Sequence, residues 1–224
     1  MSLKAPVGGG DFERELPPAG MMHARCVAVL DLGTHTDPKF VNEKTGKPVR
    51  AHKVQLQFEL DATMEYDGQT VPMMATMRLT LSSNGKSAMR KHLESWYGKK
   101  FSDEELEAAG GFDVEKLLGR PALLNLTHSA DGKYANITSI NPPMRGVNVA
   151  PQHYPSRFFE LSNPSEAVWN TLSKKTREFI ANCEEVKLGG VVLPAYTEKP
   201  KAETKATDAE KPKDFQADDD SIPF

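Results

Sequence analysis

From His52 to Leu60 the chain alternates strictly, with Val54, Leu56, Phe58 and Leu60 on one side and Lys53, Gln55, Gln57 and Glu59 on the other. A period of two is the mark of a strand with one buried and one solvated face. The same period returns from Val71 to Leu81, with Met73, Ala75, Met77, Leu79 and Leu81 inward and Met74, Thr76, Arg78 and Thr80 outward. Between them, Tyr66-Asp67-Gly68-Gln69 predicts a hairpin, because Asp-Gly tolerates the positive φ of a two-residue turn. These two strands commit the chain to an antiparallel sheet that must cover one face.

The rest of the first 145 residues supplies the partners. His23–Asp31 reads as a first strand. It is followed by a loop from Gly33 to Arg50, rich in Gly, Pro, Thr and Lys. After Leu81 the period changes, and Met89, Leu93, Trp96 and Tyr97 form a helical stripe that Gly98 ends. Ser102 and Glu105 form a capping box for a second helix, and a third runs from Asp113 to Gly119. Two further strands, Pro121–His128 and Lys133–Ile140, are joined by a turn at Ser129-Ala-Asp-Gly132. Five strands with a helical insert between the third and fourth resemble the OB fold, a partly open Greek-key barrel. Its ligand face is made by strands 2–3 and the loops 1–2 and 4–5. The expectation is therefore a mainly β chain: a flexible N-terminus over 1–20, an OB-fold barrel over 21–145, a helical extension over 146–193 and a tail over 194–224.

In the extension, Asn163 is expected as the N-cap, Pro164 at the first helical position and Glu166 at the third. Val168, Leu172, Phe179, Ile180 and Cys183 make the apolar stripe, and Gly189-Gly190 closes the region. This helix packs on the barrel or on another subunit, so a homo-oligomer is left open. From Pro194 onward Lys, Glu, Ala, Thr, Pro and Asp dominate. Such a segment buries too little apolar surface to offset its ordering entropy, and a disordered linker is expected.

Charge follows the same division. The tail carries five Lys against eight Asp and Glu, which accounts for the whole net charge of −3 and leaves residues 1–193 neutral. No apolar run approaches the roughly 18 residues of a membrane span, and the N-terminus lacks the apolar stretch of a secretion signal. Cys26 and Cys183 lie among apolar neighbours and read as core cysteines of a cytoplasmic protein, with a disulfide between them as the alternative. The six His are scattered. Gly85-Lys86-Ser87 misses the phosphate-loop pattern because its first glycine position is Thr80. No enzyme, metal or cofactor is expected from these residues.

The chain ends Asp218-Asp219-Asp220-Ser221-Ile222-Pro223-Phe224. This ending resembles the C-terminal tip of bacterial single-stranded DNA-binding proteins, in which several Asp precede a terminal Ile-Pro-Phe; Ser221 interrupts that junction here. The layout of barrel, extension and acidic tail is similar to that of single-stranded DNA-binding proteins of phages and prophages. The resemblance implies binding of single-stranded DNA in replication, recombination or repair. It also implies recruitment of replication and repair proteins by Asp218, Asp219, Asp220, Ile222, Pro223 and Phe224. The residues suit that role. Phe224 and Ile222 form an apolar anchor, Pro223 stiffens it, and the Asp side chains and terminal carboxylate suit a basic rim.

Binding single strands without regard to sequence needs cations for phosphates and π-faces for bases. The expected loop after the first strand supplies Lys39, Phe40, Lys44, Lys47, Arg50 and, at its end, Lys53. Tyr66 lies at a hairpin tip, Arg78 on the outer face of the third strand, and Lys133 and Tyr134 at the 4–5 turn. Trp96 falls on its helix's apolar stripe and is expected in the core. The outer faces of the second and third strands hold no aromatic residue, so stacking must come from loops. The rival reading is an adaptor of OB type that binds protein rather than DNA and carries an imitation of a host protein's tail.

Overall fold

The structure is a computed structural model that describes residues 15–42 and 45–197, with backbone alone between 37 and 40. Its elements in chain order are β1 (Gly20–Val41), β2 (Pro48–Tyr66) and β3 (Gln69–Thr80), then α1 (Ala88–Tyr97), α2 (Asp103–Ala108) and a 3-10 turn (Val114–Leu117). β4 (Pro121–His128), β5 (Ala135–Asn141), β6 (Arg157–Phe159), α3 (Glu166–Trp169), α4 (Lys174–Ala181) and α5 (Glu184–Lys187) complete them. The strands pair antiparallel in the order β3-β2-β1-β4-β5, and β6 adds to β1 in parallel. Among the described residues no ladder joins β3 to β5, so the sheet is open.

The alternation of β2 works as expected on its apolar side. Val54, Leu56, Phe58 and Leu60 join Met73, Ala75 and Leu79 of β3, Ala122, Leu124 and Leu126 of β4, and Ile137 and Ile140 of β5 in one core. The helical insert covers this core with Met89, Leu93 and Trp96. Trp96 is fully buried, and its indole N–H donates to the Pro121 carbonyl at 2.8 Å. Ser102 and Glu105 form the expected capping box, and Asp113 caps the 3-10 turn. Leu81, expected inward, lies beyond the end of β3 and is exposed.

β1 explains how a second core arises. Ala24 and Cys26 face the first core, the register shifts between Cys26 and Ala28, and Val29 then takes over the inward position. A bulge reverses which parity faces which side. Ala28, Leu30 and Leu32 therefore point to the opposite face. There they pack with Phe159, Leu161, Trp169, Leu172, Ile180 and Cys183 of the extension. Burying a Leu, Ile or Phe side chain contributes roughly 1.5–3 kcal/mol, enough for Leu30, Leu32, Phe159, Leu161, Leu172 and Ile180 to fix the extension to the sheet. The extension thus packs on its own sheet. Cys26 and Cys183 are free thiols in different cores, which removes the disulfide alternative.

Three sequence expectations change. The loop from Gly33 to Arg50 is largely a β-ribbon, because ladder pairs continue from Gly33↔Lys53 through Asp37↔Val49 to Val41↔Pro48. Backbone pairing does not depend on side-chain hydrophobicity, and the polar composition of this stretch concealed it. The extension is three short helices rather than one. Ser165 caps α3 by accepting from the Val168 N–H, so Asn163 and Pro164 lie outside the helix. Contacts with the extension run on past Pro194: the Thr197 N–H donates to Asn170 Oδ1, and Arg177 stacks on Tyr196 at 3.4 Å. No helix among the described residues is long and apolar enough to cross a membrane.

Candidate nucleic-acid interface

From Gln55 to Glu59 the polar face of β2 is not open to a ligand. Gln55 accepts from Arg78 Nε at 2.8 Å, and Gln57 accepts from Arg157 at 2.6 Å. The Glu59 carboxylate accepts the backbone N–H groups of His153 and Tyr154. Gln55 and Glu59 are buried in consequence. The segment from His153 to Phe159 and helix α4 occupy the face expected to carry the ligand.

What stays open is a groove of about 780 Å³ at the end of the sheet where the β1–β2 ribbon departs. Arg50, His52 and Lys53 of β2, His35 and Thr36 of β1, Thr80 of β3, and Phe179 of α4 line it. Lys53 is steadied by donating from Nζ to Thr80 Oγ1 at 2.9 Å. Arg50 donates to Glu184 of α5, which also accepts from Thr36 Oγ1 at 2.8 Å; both partners, Thr36 the more strongly, hold the Glu184 carboxyl below its ordinary pKa. Phe179 stacks on His35 with ring centroids 4.0 Å apart and planes at 28°. The Arg78 guanidinium lies 4.5 Å from the Phe179 ring centre.

Behind the groove, His52 joins the ribbon to α5. His52 Nε2 is 2.6 Å from Asp31 Oδ1, and Nδ1 is 3.2 Å from Thr34 Oγ1. The order hydroxyl, imidazole, carboxylate is that of a nucleophile and its base. Here, however, the Thr34 hydroxyl donates at 2.5 Å to Glu185 and is nearly buried, so its proton is already committed to a carboxylate. The Asp31 hydrogen bond raises the His52 pKa, with burial opposing. For Glu185, burial pulls its pKa upward, but the hydrogen bonds from Thr34 outweigh it and hold the carboxyl at about 2. The network is built to bear charge and to tie α5 to the ribbon.

The residues singled out from sequence divide between two ends of the sheet. Arg50, Lys53 and Arg78 gather at the groove, and Lys47 is exposed on the ribbon near it. The side chains of Lys39 and Phe40, and all of Lys44, lie outside the described residues, as do Asp218, Asp219, Asp220, Ile222, Pro223 and Phe224. Tyr66 and Tyr134 are 63% and 64% exposed, which leaves both rings free to meet a ligand. Neither is near the groove. Tyr66 ends β2, about 50 Å of strand from Arg50, on a hairpin that carries Asp61, Glu65 and Asp67. Lys133 and Tyr134 follow β4, whose last residues pair with the start of β1. Sequence reading missed His35, His52 and Phe179. The signal for Phe179 was its neighbour: Phe179 and Ile180 lie about 100° apart on a helix, so one of them had to leave the core stripe. No protein-family model, curated protein or solved structure matches this chain.

Proposed function

We propose that this chain binds single-stranded DNA without sequence preference and uses its C-terminal tip to recruit replication and repair proteins. The observation that carries this reading is the gathering of Arg50 and Lys53 in one groove, with Arg78 behind its aromatic wall. Cations spaced along a groove track a phosphate backbone, and their contacts release counterions from it. The strand order adds support. Three hairpin-connected strands followed by a fourth beside the first, in spatial order 4-1-2-3, form a Greek key. An OB-type barrel opened between β3 and β5 is consistent with that order. The ligand path in this reading is the groove, since the extension covers the β2–β3 face. The acidic ending Asp218–Phe224 supplies the second half of the proposal, as a tip whose charge and aromatic anchor suit a basic, apolar pocket on a partner.

A titration of fluorescent oligo-dT, and of duplex of equal length, at increasing salt tests the reading. Tighter binding of the single strand, weakening steadily as salt rises, is expected. Equal affinity for duplex, or an affinity indifferent to salt, refutes it.

A further inference from the structure

We infer that the groove takes an unpaired nucleobase on the His35 ring, whose other face stacks on Phe179, so that the C-terminal extension backs the base-stacking element. The inference rests on the single-strand reading above and names the ligand group that the aromatic wall recognises. An unpaired base needs a π-face with a cation close by. The outer faces of β2 and β3 have no aromatic residue of their own. β1 and α4 together supply the rings: His35 lines the groove, and half-buried Phe179 at the edge of the second core lies against its other face, with Arg78 over the Phe179 ring.

The rings are held before any ligand arrives. His35 Nε2 is 2.8 Å from the Leu32 carbonyl oxygen, which sets the plane of the imidazole stacked on Phe179. Arg78 Nε is bonded to Gln55, which sets the guanidinium against the Phe179 ring. A ring pair fixed in this way loses little entropy on stacking. Lys53 shares the groove as a cation for a phosphate beside a base held there, and Arg50 serves a second phosphate by exchanging its Glu184 carboxylate for it.

The test compares oligo-dT with a strand of the same length and charge made of abasic sugar phosphates. With wild-type protein, oligo-dT is expected to bind roughly five- to a hundred-fold more tightly, the range of one or a few stacked bases. Phe179→Leu keeps an apolar side chain against the second core. It is expected to bring that ratio close to one while leaving affinity for the abasic strand unchanged. Ultraviolet crosslinking of wild-type protein to oligo-dT gives a readout that no variant's folding can spoil, and the crosslinks are expected in the peptides that hold His35 or Phe179. Equal wild-type affinity for the two strands overturns the inference and leaves the single-strand reading standing. So does an equal loss for both strands in Phe179→Leu, or crosslinks confined to the Tyr66 and Tyr134 turns. Failure of wild-type protein to bind either strand overturns the single-strand reading itself, and the inference with it.

Discussion

His52 Nε2 lies 2.6 Å from Asp31 Oδ1, and through that contact the β-ribbon and the extension share one charged network. Asp31 also accepts the N–H of Gly33 and the N–H of Leu161, while Glu185 reaches Thr34 and comes within 3.6 Å of His52. A proton on His52 thus sits between two carboxylates, which raise the His52 pKa, the Asp31 hydrogen bond contributing most.

This arrangement predicts that the stabilisation due to His52 falls as pH rises. Because the folded His52 pKa is raised, its contribution is whole below the ordinary value of 6.5 and is lost as pH rises through the folded value. Glu185 acts in the opposite sense. Its contribution is whole above 4.5 and is lost as pH falls toward about 2. The excess of the wild-type urea midpoint over that of His52→Gln should be largest near about pH 5 and shrink toward about pH 9. A difference between the two proteins that does not change with pH counts against the network.

At Gly33 the extension packs against the β1 backbone with no room for a side chain. A Cβ at this position would lie 2.6 Å from Cys183 Cβ and Sγ and 2.8 Å from Leu161 Cδ1, on a backbone with φ +76°. Gly33→Ala should cost roughly 2–5 kcal/mol, from overpacking and left-handed strain together. It should also loosen the extension, read as greater solvent quenching of Trp169. A melting temperature equal to wild type would show that the extension yields without cost.

Trp96 is predicted to matter for stability and not for DNA. Trp96→Ala removes a fully buried indole packed against Phe58 and leaves the Pro121 carbonyl without its donor. A loss of about 3–5 kcal/mol is expected, with oligo-dT affinity kept at temperatures where the protein stays folded. Normal melting with lost binding would reverse the assignment.

The two ends of the sheet should separate in binding. Arg50→Ala with Lys53→Ala is expected to weaken oligo-dT binding and to shrink the salt slope by about 0.7 for each phosphate that is no longer neutralised. Lys133→Ala with Tyr134→Ala, at the far end of β1, should change affinity by less than about two-fold, and the opposite ranking would move the DNA path away from the groove.

Removing Asp218–Phe224 should leave the thermal transition unchanged and preserve or tighten oligo-dT binding. In the proposed reading the acidic tip competes with phosphates for the groove, and a tether sets its effective concentration on the order of millimolar. Capture of replication partners should be lost in the same protein, and Phe224 deletion alone should lose it too. Abolished DNA binding in a folded truncated chain would make the tip part of the DNA site.

Residue order was enough to reveal the strands that alternate, the turn at Asp67-Gly68, the helical insert with Trp96 inward, and the capping box at Ser102. Each follows from spacing along a few consecutive residues, where local geometry and burial agree. Long-range packing settled the rest. The ribbon from Gly33 to Arg50 exists because two polar segments pair through their backbones, which hydrophobic patterning does not register. The bulge after Cys26 turned Ala28, Leu30 and Leu32 to the other face and gave the extension a surface to cover. That cover closed the β2–β3 face and moved the candidate site to the groove. Phe179 and His35 lie 144 positions apart in the chain; their stacking depends on how α4 docks on β1, and no local pattern in either segment encodes that contact.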